Sequence, residues 1–310
     1  MNYALTEDQA AIMAGLDQLL AGVDAAPPVE PVFFEYDAAL DAMLAESGFL
    51  DIAREEGFSA LDAALIVERL ARLPRVVEAA ASSIVAPALE VPAGVRPVAL
   101  TSDPTKPARF LPMAGVLLVD RGDKATMITV DPANVEPVET LFAYPYGKLK
   151  SLDGVEEVEV GDGATLRRRW RIALAAEAAG SMASALDSIL EHVKTRHAFG
   201  QPLGAFQAIQ HRLAMAAETV ESAKWLAFRA AWSDSEADAA IAAGFVQTRT
   251  AQLTYDLHQF AGAMGLTIEF PLHLWSYRLR ALAGELGGGS RQARAAALAA
   301  WPDSSLAGAA

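Results

Sequence analysis

The chain has 310 residues, enough for one large hydrophobic core or two to three modest ones. Its formal net charge of −14 argues against nucleic-acid binding, because phosphates require a basic surface. It contains no cysteine, which excludes disulfides, thiolate metal sites and cysteine nucleophiles, and its alanine-rich composition favours helices.

Residues 1–90 are predicted to form an N-terminal helical domain. Thr6-Glu7-Asp8-Gln9 fits a capping box, and apolar residues follow it at helical spacing. Pro27, Pro28 and Pro31 interrupt that pattern before further helical segments begin. The N-terminus lacks the features of a signal peptide, and no segment approaches the ~20 apolar residues of a membrane span, so we expect a cytoplasmic protein.

Residues 91–163 are predicted to form a reduced β domain, because prolines separate short runs with the character of strands. The four predicted strands are Val98–Leu100, Gly115–Val119, Ala125–Val130 and Val155–Val160. A β domain of this size is marginally stable alone, so it should pack on its neighbours.

Residues 164–310 are predicted to form a C-terminal four-helix bundle. Its predicted helices run from Leu166, from about Phe206, from a capping box at Ser233–Glu236, and after Gly287–Gly289. The tail after Pro302 is expected to fray. The predicted fold class is therefore mainly α with a small central β domain.

Two segments of the bundle carry most of the functional signal. Arg196–His211 begins Arg-His-Ala-Phe-Gly-Gln-Pro-Leu, and Gln259–Leu272 begins Gln-Phe-Ala-Gly-Ala-Met-Gly. Both resemble flavin-contacting motifs of the acyl-CoA dehydrogenase family, and Tyr277–Arg280 is similar to the basic turn that follows them. The family also has the same order of domains. The resemblance implies that this C-terminal domain contacts the FAD of a neighbouring subunit.

The resemblance assigns five residues to FAD binding. Arg196 would pair with the pyrophosphate, because a planar guanidinium suits paired phosphate oxygens. Phe199 would pack near the adenine or ribityl part, and Gln207 would bind the adenosine side. Gln259 and the backbone around Gly262 would complete the clamp. Each residue also has an ordinary structural interpretation, as a helix-terminal arginine, a core phenylalanine or a solvated glutamine.

The catalytic base of the family is not found at its usual positions. The family removes an α-proton from an acyl-CoA thioester, which requires a positioned carboxylate. An ungapped placement puts Gly287 and Trp170 at the two positions where the family carries its glutamate. A shift of two residues would bring in Glu285, and Glu177 lies two helical turns after Trp170. The favoured interpretation of Glu177 is a helix glutamate paired with a neighbouring arginine.

Other candidate signals are weaker. Val98–Thr105 lacks the Thr-Glu-x-x-x-Gly-Ser element that covers the flavin ring in the family. The five histidines have no metal-binding spacing, and the glycine-rich stretch 284–289 is not a phosphate-binding loop. The cluster Arg167–Arg171 could attract phosphate groups of CoA or FAD, or form a solvated helix start.

Together these features resemble the short subunit of two-and-two heteromeric acyl-CoA dehydrogenases from bacterial steroid side-chain degradation. The resemblance implies a non-catalytic subunit that shares FAD across an interface with a full-length partner, which binds the acyl-CoA. One alternative is a complete homo-oligomeric dehydrogenase with Glu177 or Glu285 as base. Another is a flavin-free scaffold. Alone, the chain could fill the vacant interface as a homodimer.

Overall fold

The computed structural model describes residues 4–23 and 35–301. The predicted breaks at Pro27, Pro28 and Pro31 and the tail after Pro302 lie outside the described residues. Along the rest of the chain, helices come first, strands follow, and long helices complete the fold.

The described residues of the N-terminal part form the α-helices α1 (Glu7–Leu20), α2 (Ala38–Glu46) and α3 (Ala60–Ala71). The predicted capping box is confirmed, because Gln9 N donates to Thr6 Oγ1 (3.2 Å) and Thr6 N donates to Gln9 Oε1 (3.1 Å). Most of α3 is buried, and this helix packs against the first helix of the C-terminal part.

Seven strands follow in chain order: β1 (Val98–Thr101), β2 (Ala108–Arg109), β3 (Val116–Asp120), β4 (Lys124–Thr129), β5 (Val135–Val138), β6 (Tyr146–Leu149) and β7 (Glu157–Asp162). One sheet has the order β1-β3-β4-β7, with β1 parallel to β3 and the other pairs antiparallel. The second sheet has the order β2-β6-β5. The four predicted strands are those of the first sheet.

The second sheet was missed for physical reasons. Strand β2 has two residues, which is too short to show alternation of apolar and polar side chains. Strand β5 contains Pro137, a residue that argues against a central strand. It lies at the edge of its sheet, where a missing N–H is tolerated.

The C-terminal part is built on α4 (Gly163–Thr195), a helix of 33 residues that is buried along most of its length. Asp162 caps its start by accepting a hydrogen bond from Thr165 N (2.8 Å). Gly180 lets α4 approach α3 closely, because an added Cβ would lie 2.1 Å from the carbonyl oxygen of Glu68. Helix α4 therefore belongs both to the bundle and to the core of the N-terminal part.

The remaining elements are the hairpin strands β8 (His197–Ala198) and β9 (Gln201–Pro202) and the helices α5 (Gln207–Ser233), α6 (Glu236–Ala261), α7 (Leu272–Gly284) and α8 (Gly288–Ala300). The cap of α6 is Ser235, whereas Ser233 is the last residue of α5. Asp234 between them has φ +49°, a left-handed turn that the pattern did not indicate. The predicted fold class is confirmed, with a helical part, a small β part and a helical bundle in that order.

None of the helices within residues 4–23 and 35–301 combines the length and apolarity needed to span a membrane.

Candidate functional site

Three of the five predicted FAD-binding residues line one cavity at the end of the bundle. Arg196 follows the last turn of α4, and Gln259 lies in the last turn of α6. Gly262 ends α6 with φ +61°. All three line a cavity of about 470 Å³, a volume typical of ligand sites. The fold thus brings together residues that are 66 positions apart in the chain (196 and 262).

The other two predicted residues lie beside this cavity rather than in its lining. Phe199 and Gly200 form the tip of the β8–β9 hairpin, with φ +54° and +84°, the backbone signs of a type I′ turn. The Phe199 ring is 93% exposed and touches Phe206 edge-on, at 6.2 Å between ring centroids. Gln207 is the exposed first residue of α5. The core interpretation of Phe199 is therefore wrong.

We call the exposed surface that carries Arg196, Phe199, Gln207, Gln259 and Gly262 the outer face of the bundle. Its polar side chains have few partners within the chain. Within the described chain, the side chains of Arg196, Gln207 and Gln259 make no hydrogen bond or ion pair. Burial, and then the positive charge of Arg196, lower the pKa of nearby His192. The guanidinium and both amides are therefore free to bind a molecule from outside the chain.

A second cavity, of about 380 Å³, lies in the cleft between the β domain and the bundle. Its lining includes side chains from both, among them Thr101, Arg109, Tyr146, Trp170, Glu285 and Arg291. Glu285 and Glu177, the two alternative bases, are called the fallback bases below. Glu285 lines the cavity, and Glu177 lines a smaller void next to it.

Arg109 connects the two fallback bases. Its Nη1 donates to both carboxylate oxygens of Glu177, at 3.0 and 3.1 Å, and its Nε donates to Glu285 Oε1 at 2.6 Å. The second oxygen of Glu285 accepts a bond from Trp170 Nε1 at 2.7 Å. Tyr144 donates its hydroxyl to Glu177 Oε1 at 2.7 Å. Both carboxylates are thus engaged within the chain.

Burial strengthens the ion pairs and hydrogen bonds that join Arg109, Glu177 and Glu285. The side chains of Arg109, Glu177 and Glu285 are 11%, 9% and 16% exposed. Burial alone would lower the pKa of Arg109, but the charges of Glu177 and Glu285 outweigh it and raise that pKa well above its ordinary value. Burial, followed by the charge of Glu177, raises the pKa of Tyr144 well above its ordinary value. Arg109 is therefore permanently cationic and Tyr144 remains a proton donor to Glu177.

The space around Glu177 is too small for a substrate. The two voids that it lines measure about 20 Å³ each, enough for a water molecule but not for an acyl chain. The interpretation of Glu177 as a glutamate paired with an arginine is confirmed. Its partner, however, lies in the β domain, 68 residues away in sequence.

Trp170 and Gly287, which the sequence comparison placed at the two usual base positions, lie at the cleft in the structure. Trp170 lies on α4 and hydrogen-bonds to Glu285, and Gly287 lies in the turn before α8 with φ +84°. No local signal pointed to Arg109, because it lies in a two-residue strand and contacts residues far away in sequence.

The cluster Arg167–Arg171 serves the fold. Arg167 pairs with Asp120 of the β domain at 2.7 Å, and both Arg168 and Arg169 bond to Asp234. These side chains are partly buried, so the prediction of a solvated helix start was wrong. Their acidic partners also leave them less available to an external phosphate.

Within residues 4–23 and 35–301, no three or more His, Asp or Glu side chains are grouped in a way that could hold a metal ion.

Comparison with known proteins identifies the bundle. Residues 168–301 match the family model "Acyl-CoA dehydrogenase, C-terminal domain". Acyl-CoA dehydrogenase FadE34 of Mycobacterium tuberculosis is 31% identical over 172 residues, which are 53% of this chain and 24% of that protein. The match thus spans about a quarter of the relative's length.

Solved structures extend the similarity to nearly the whole chain. The ChsE4-ChsE5 complex from Mycobacterium tuberculosis superposes with a TM-score of 0.78 and 18% identity, covering 95% of this chain and 97% of the other. A glutaryl-CoA dehydrogenase from Mycobacterium smegmatis in complex with FADH2 gives a TM-score of 0.68 and 15% identity, with 96% of each chain covered. The chain therefore has the acyl-CoA dehydrogenase fold, and its residues 168–301 match the C-terminal domain of that family.

Proposed function

We propose that this chain is a non-catalytic subunit of a heteromeric, FAD-dependent acyl-CoA dehydrogenase. In this assembly Arg196, Phe199, Gln207 and Gln259 contact FAD that is bound mainly by a full-length partner. The proposal rests on one contrast. The polar side chains of the outer face are free, whereas the carboxylates of the cleft are bound by Arg109.

The outer face fits the nucleotide part of FAD. Arg196 offers an exposed, planar set of N–H donors, which matches the paired oxygens of a pyrophosphate. The backbone at Gly262 is open, because no atom lies within 4 Å of the position that a Cβ would take. When bound, FAD supplies the hydride acceptor of the reaction. The residues of this chain would bind and orient it.

The cleft does not fit a flavin ring of its own. Arg109, Trp170 and Glu285 share hydrogen bonds at its wall, so the polar groups that could bind a ring are already paired within the chain. The segment Val98–Thr105 contains β1 and lines this cleft through residues 100–103, and it also lacks the ring-covering motif of the family. We therefore assign no step of the reaction to this cleft.

The absence of a free base supports a partner that performs the chemistry. A general base must present an oxygen to the proton that it removes. Here both fallback carboxylates bind Arg109, and one oxygen of each also accepts a second donor. The solved ChsE4-ChsE5 complex has the same fold and contains two different subunits, which is consistent with this arrangement. A steroid side chain as substrate is an extension from the sequence resemblance.

The test is the visible absorption spectrum of the chain purified alone and after co-expression with a full-length homologue. We expect a colourless lone chain and a yellow complex with one flavin for each pair of unlike subunits. Arg196→Ala should release the flavin from the complex. Arg249→Ala is the matched control, since Arg249 is an exposed arginine of α6 that does not line the outer cavity.

Two results would contradict the proposal. A lone chain that carries flavin and oxidises an acyl-CoA would indicate the homo-oligomeric enzyme, with Glu177 and Glu285 as the residues to replace. A stable complex without flavin would indicate a scaffold.

A further inference from the structure

Arg109 lies where three separate parts of the chain meet. Strand β2 supplies the guanidinium, α4 supplies Glu177, and the turn after α7 supplies Glu285. The three side chains form two ion pairs, at 3.0 and 2.6 Å, that connect the β domain to the bundle. The β domain is thus fastened to the bundle by a single shared cation at this point.

Aromatic rings cover the faces of that cation. The Arg109 Cζ atom is 4.5 Å from the centroid of the Tyr144 ring and 5.3 Å from that of Phe110. A guanidinium is planar, so its faces can lie against aromatic rings while its edge donates hydrogen bonds. Arg109 therefore has the two kinds of contact, stacking and edge hydrogen bonds, that a planar cofactor ring would need.

The backbone holds Glu285 in place for this role. Leu286, Gly287 and Gly288 have φ of +51°, +84° and +74°, a left-handed turn that begins directly after Glu285. The amide Nε2 of Gln247 donates to the carbonyl oxygens of Leu282 and Glu285, at 2.9 and 2.8 Å. A leucine at positive φ is strained, so the surrounding contacts fix this turn.

We propose that Arg109 is the resident ligand of the cleft: in place of a flavin ring, its two ion pairs hold the β domain against the bundle without a cofactor. This role does not depend on the partner proposed above, because all of its contacts lie within one chain. Displacement of Arg109 by a flavin ring would leave Glu177 and Glu285 buried without their cation, which is strongly unfavourable.

The first test compares Arg109→Met with Arg167→Met in the full chain. Both arginines connect the β domain to the bundle side, but Arg167 is 30% exposed and Arg109 is 11% exposed. We expect Arg109→Met to lower Tm by about 6–10 °C and Arg167→Met by about 0–3 °C. Hydrogen exchange should accelerate at β2, β6 and residues 285–287 only in the first variant. Equal effects of the two substitutions would overturn the proposal.

A charge-balanced variant keeps the test decisive if Arg109→Met folds poorly. The triple variant Arg109→Met/Glu177→Gln/Glu285→Gln removes the cation and both buried charges together. We expect it to regain at least half of the lost Tm, because neutral buried groups cost less than unpaired ions. A triple variant as unstable as the single one would show that Arg109 acts through packing alone and would overturn its role as a ligand.

The second test uses lumiflavin, which has the flavin ring but no nucleotide and so cannot report on the outer face. Titration into the lone wild-type chain should leave lumiflavin fluorescence unchanged. Quenching that disappears in Tyr146→Ala, a substitution in the cleft lining, would show that the ring enters the cleft despite Arg109. FAD binding that Arg196→Ala abolishes would instead concern the outer face and the proposed function.

Discussion

The cleft and the outer face of the bundle use the same kinds of side chain in opposite ways. In the cleft, Arg109 is buried and shared by two carboxylates. On the outer face, Arg196 is exposed and has no ionic partner within the described chain. An arginine whose donors are satisfied inside the chain stabilises the fold, whereas one whose donors face outward remains available for binding. The comparison separates the arginine that is used within the fold from the arginine that is available for the proposed binding.

Tryptophan substitutions should show the largest difference between the two regions. Trp170 is 6% exposed and bonds to Glu285, whereas Trp232 on the outside of α5 is 57% exposed. We expect Trp170→Ala to lower the free energy of unfolding by about 3–5 kcal/mol. Trp232→Ala should change it by less than about 0.5 kcal/mol. Urea unfolding followed by circular dichroism measures both, and similar losses would contradict a firmly packed cleft.

Tyrosine hydroxyls should show a smaller difference. Tyr144→Phe removes the bond to Glu177 Oε1, and a hydrogen bond to a charged group contributes about 1.5–3 kcal/mol to stability. Tyr255→Phe is the control, because Tyr255 is 62% exposed on α6. Equilibrium unfolding in urea compares them. A neutral Tyr144→Phe would mean that Arg109 alone satisfies Glu177.

At the turn that contains Phe199, a substitution should increase the stability of the chain rather than decrease it. Asparagine tolerates a left-handed conformation better than phenylalanine, so Phe199→Asn should stabilise the lone chain by about 0.5–1 kcal/mol. Gly200→Ala should destabilise it by about 1 kcal/mol, since Gly200 has φ +84°. Thermal unfolding gives both values. A gain in stability with weaker binding of the partner would show that the strained turn serves an interface.

Lowering the pH should reduce the stability of the end of the bundle that carries the outer face. Burial lowers the pKa of His258 and of His273 below the ordinary value of 6.5. The folded state then binds fewer protons than the unfolded state, so stability present above pH 6.5 is lost as pH falls below it. Urea midpoints from pH 7.5 to 5.5 should decline, and His273→Gln should flatten the decline. An unchanged slope in His273→Gln would exclude this histidine as a source.

The smallest effect is expected at the clamp itself. Arg196→Ala and Gln259→Ala should each change the stability of the lone chain by less than about 0.5 kcal/mol, because both side chains are exposed. In the complex, the same substitutions should reduce flavin content. Thermal unfolding of the lone chain and absorption of the complex measure the two effects. A large loss of stability in the lone chain would place these residues in the fold rather than in a binding site.

Some features of the chain were decided by local sequence. The capping box at Thr6, the strands β1, β3, β4 and β7 and the helices α4, α5, α6 and α8 follow from spacing and turn residues, whereas α7 was not predicted. The outer face could also be anticipated, since Arg196 and Phe199 belong to one short motif. A short motif is enough to indicate Arg196 and Phe199, but folding is needed to bring Gln259 and Gly262 next to Arg196.

Only the tertiary structure decided whether the carboxylates of the cleft are free to act as bases. Glu177 and Glu285 were left open as alternative bases, but folding brings Arg109 to both of them from 68 and 176 residues away. Such contacts leave no periodic signal, because they depend on how a two-residue strand is placed against two helices. Whether a carboxylate is a base or half of an ion pair depends on its neighbours in space, and those neighbours are fixed only when the chain has folded.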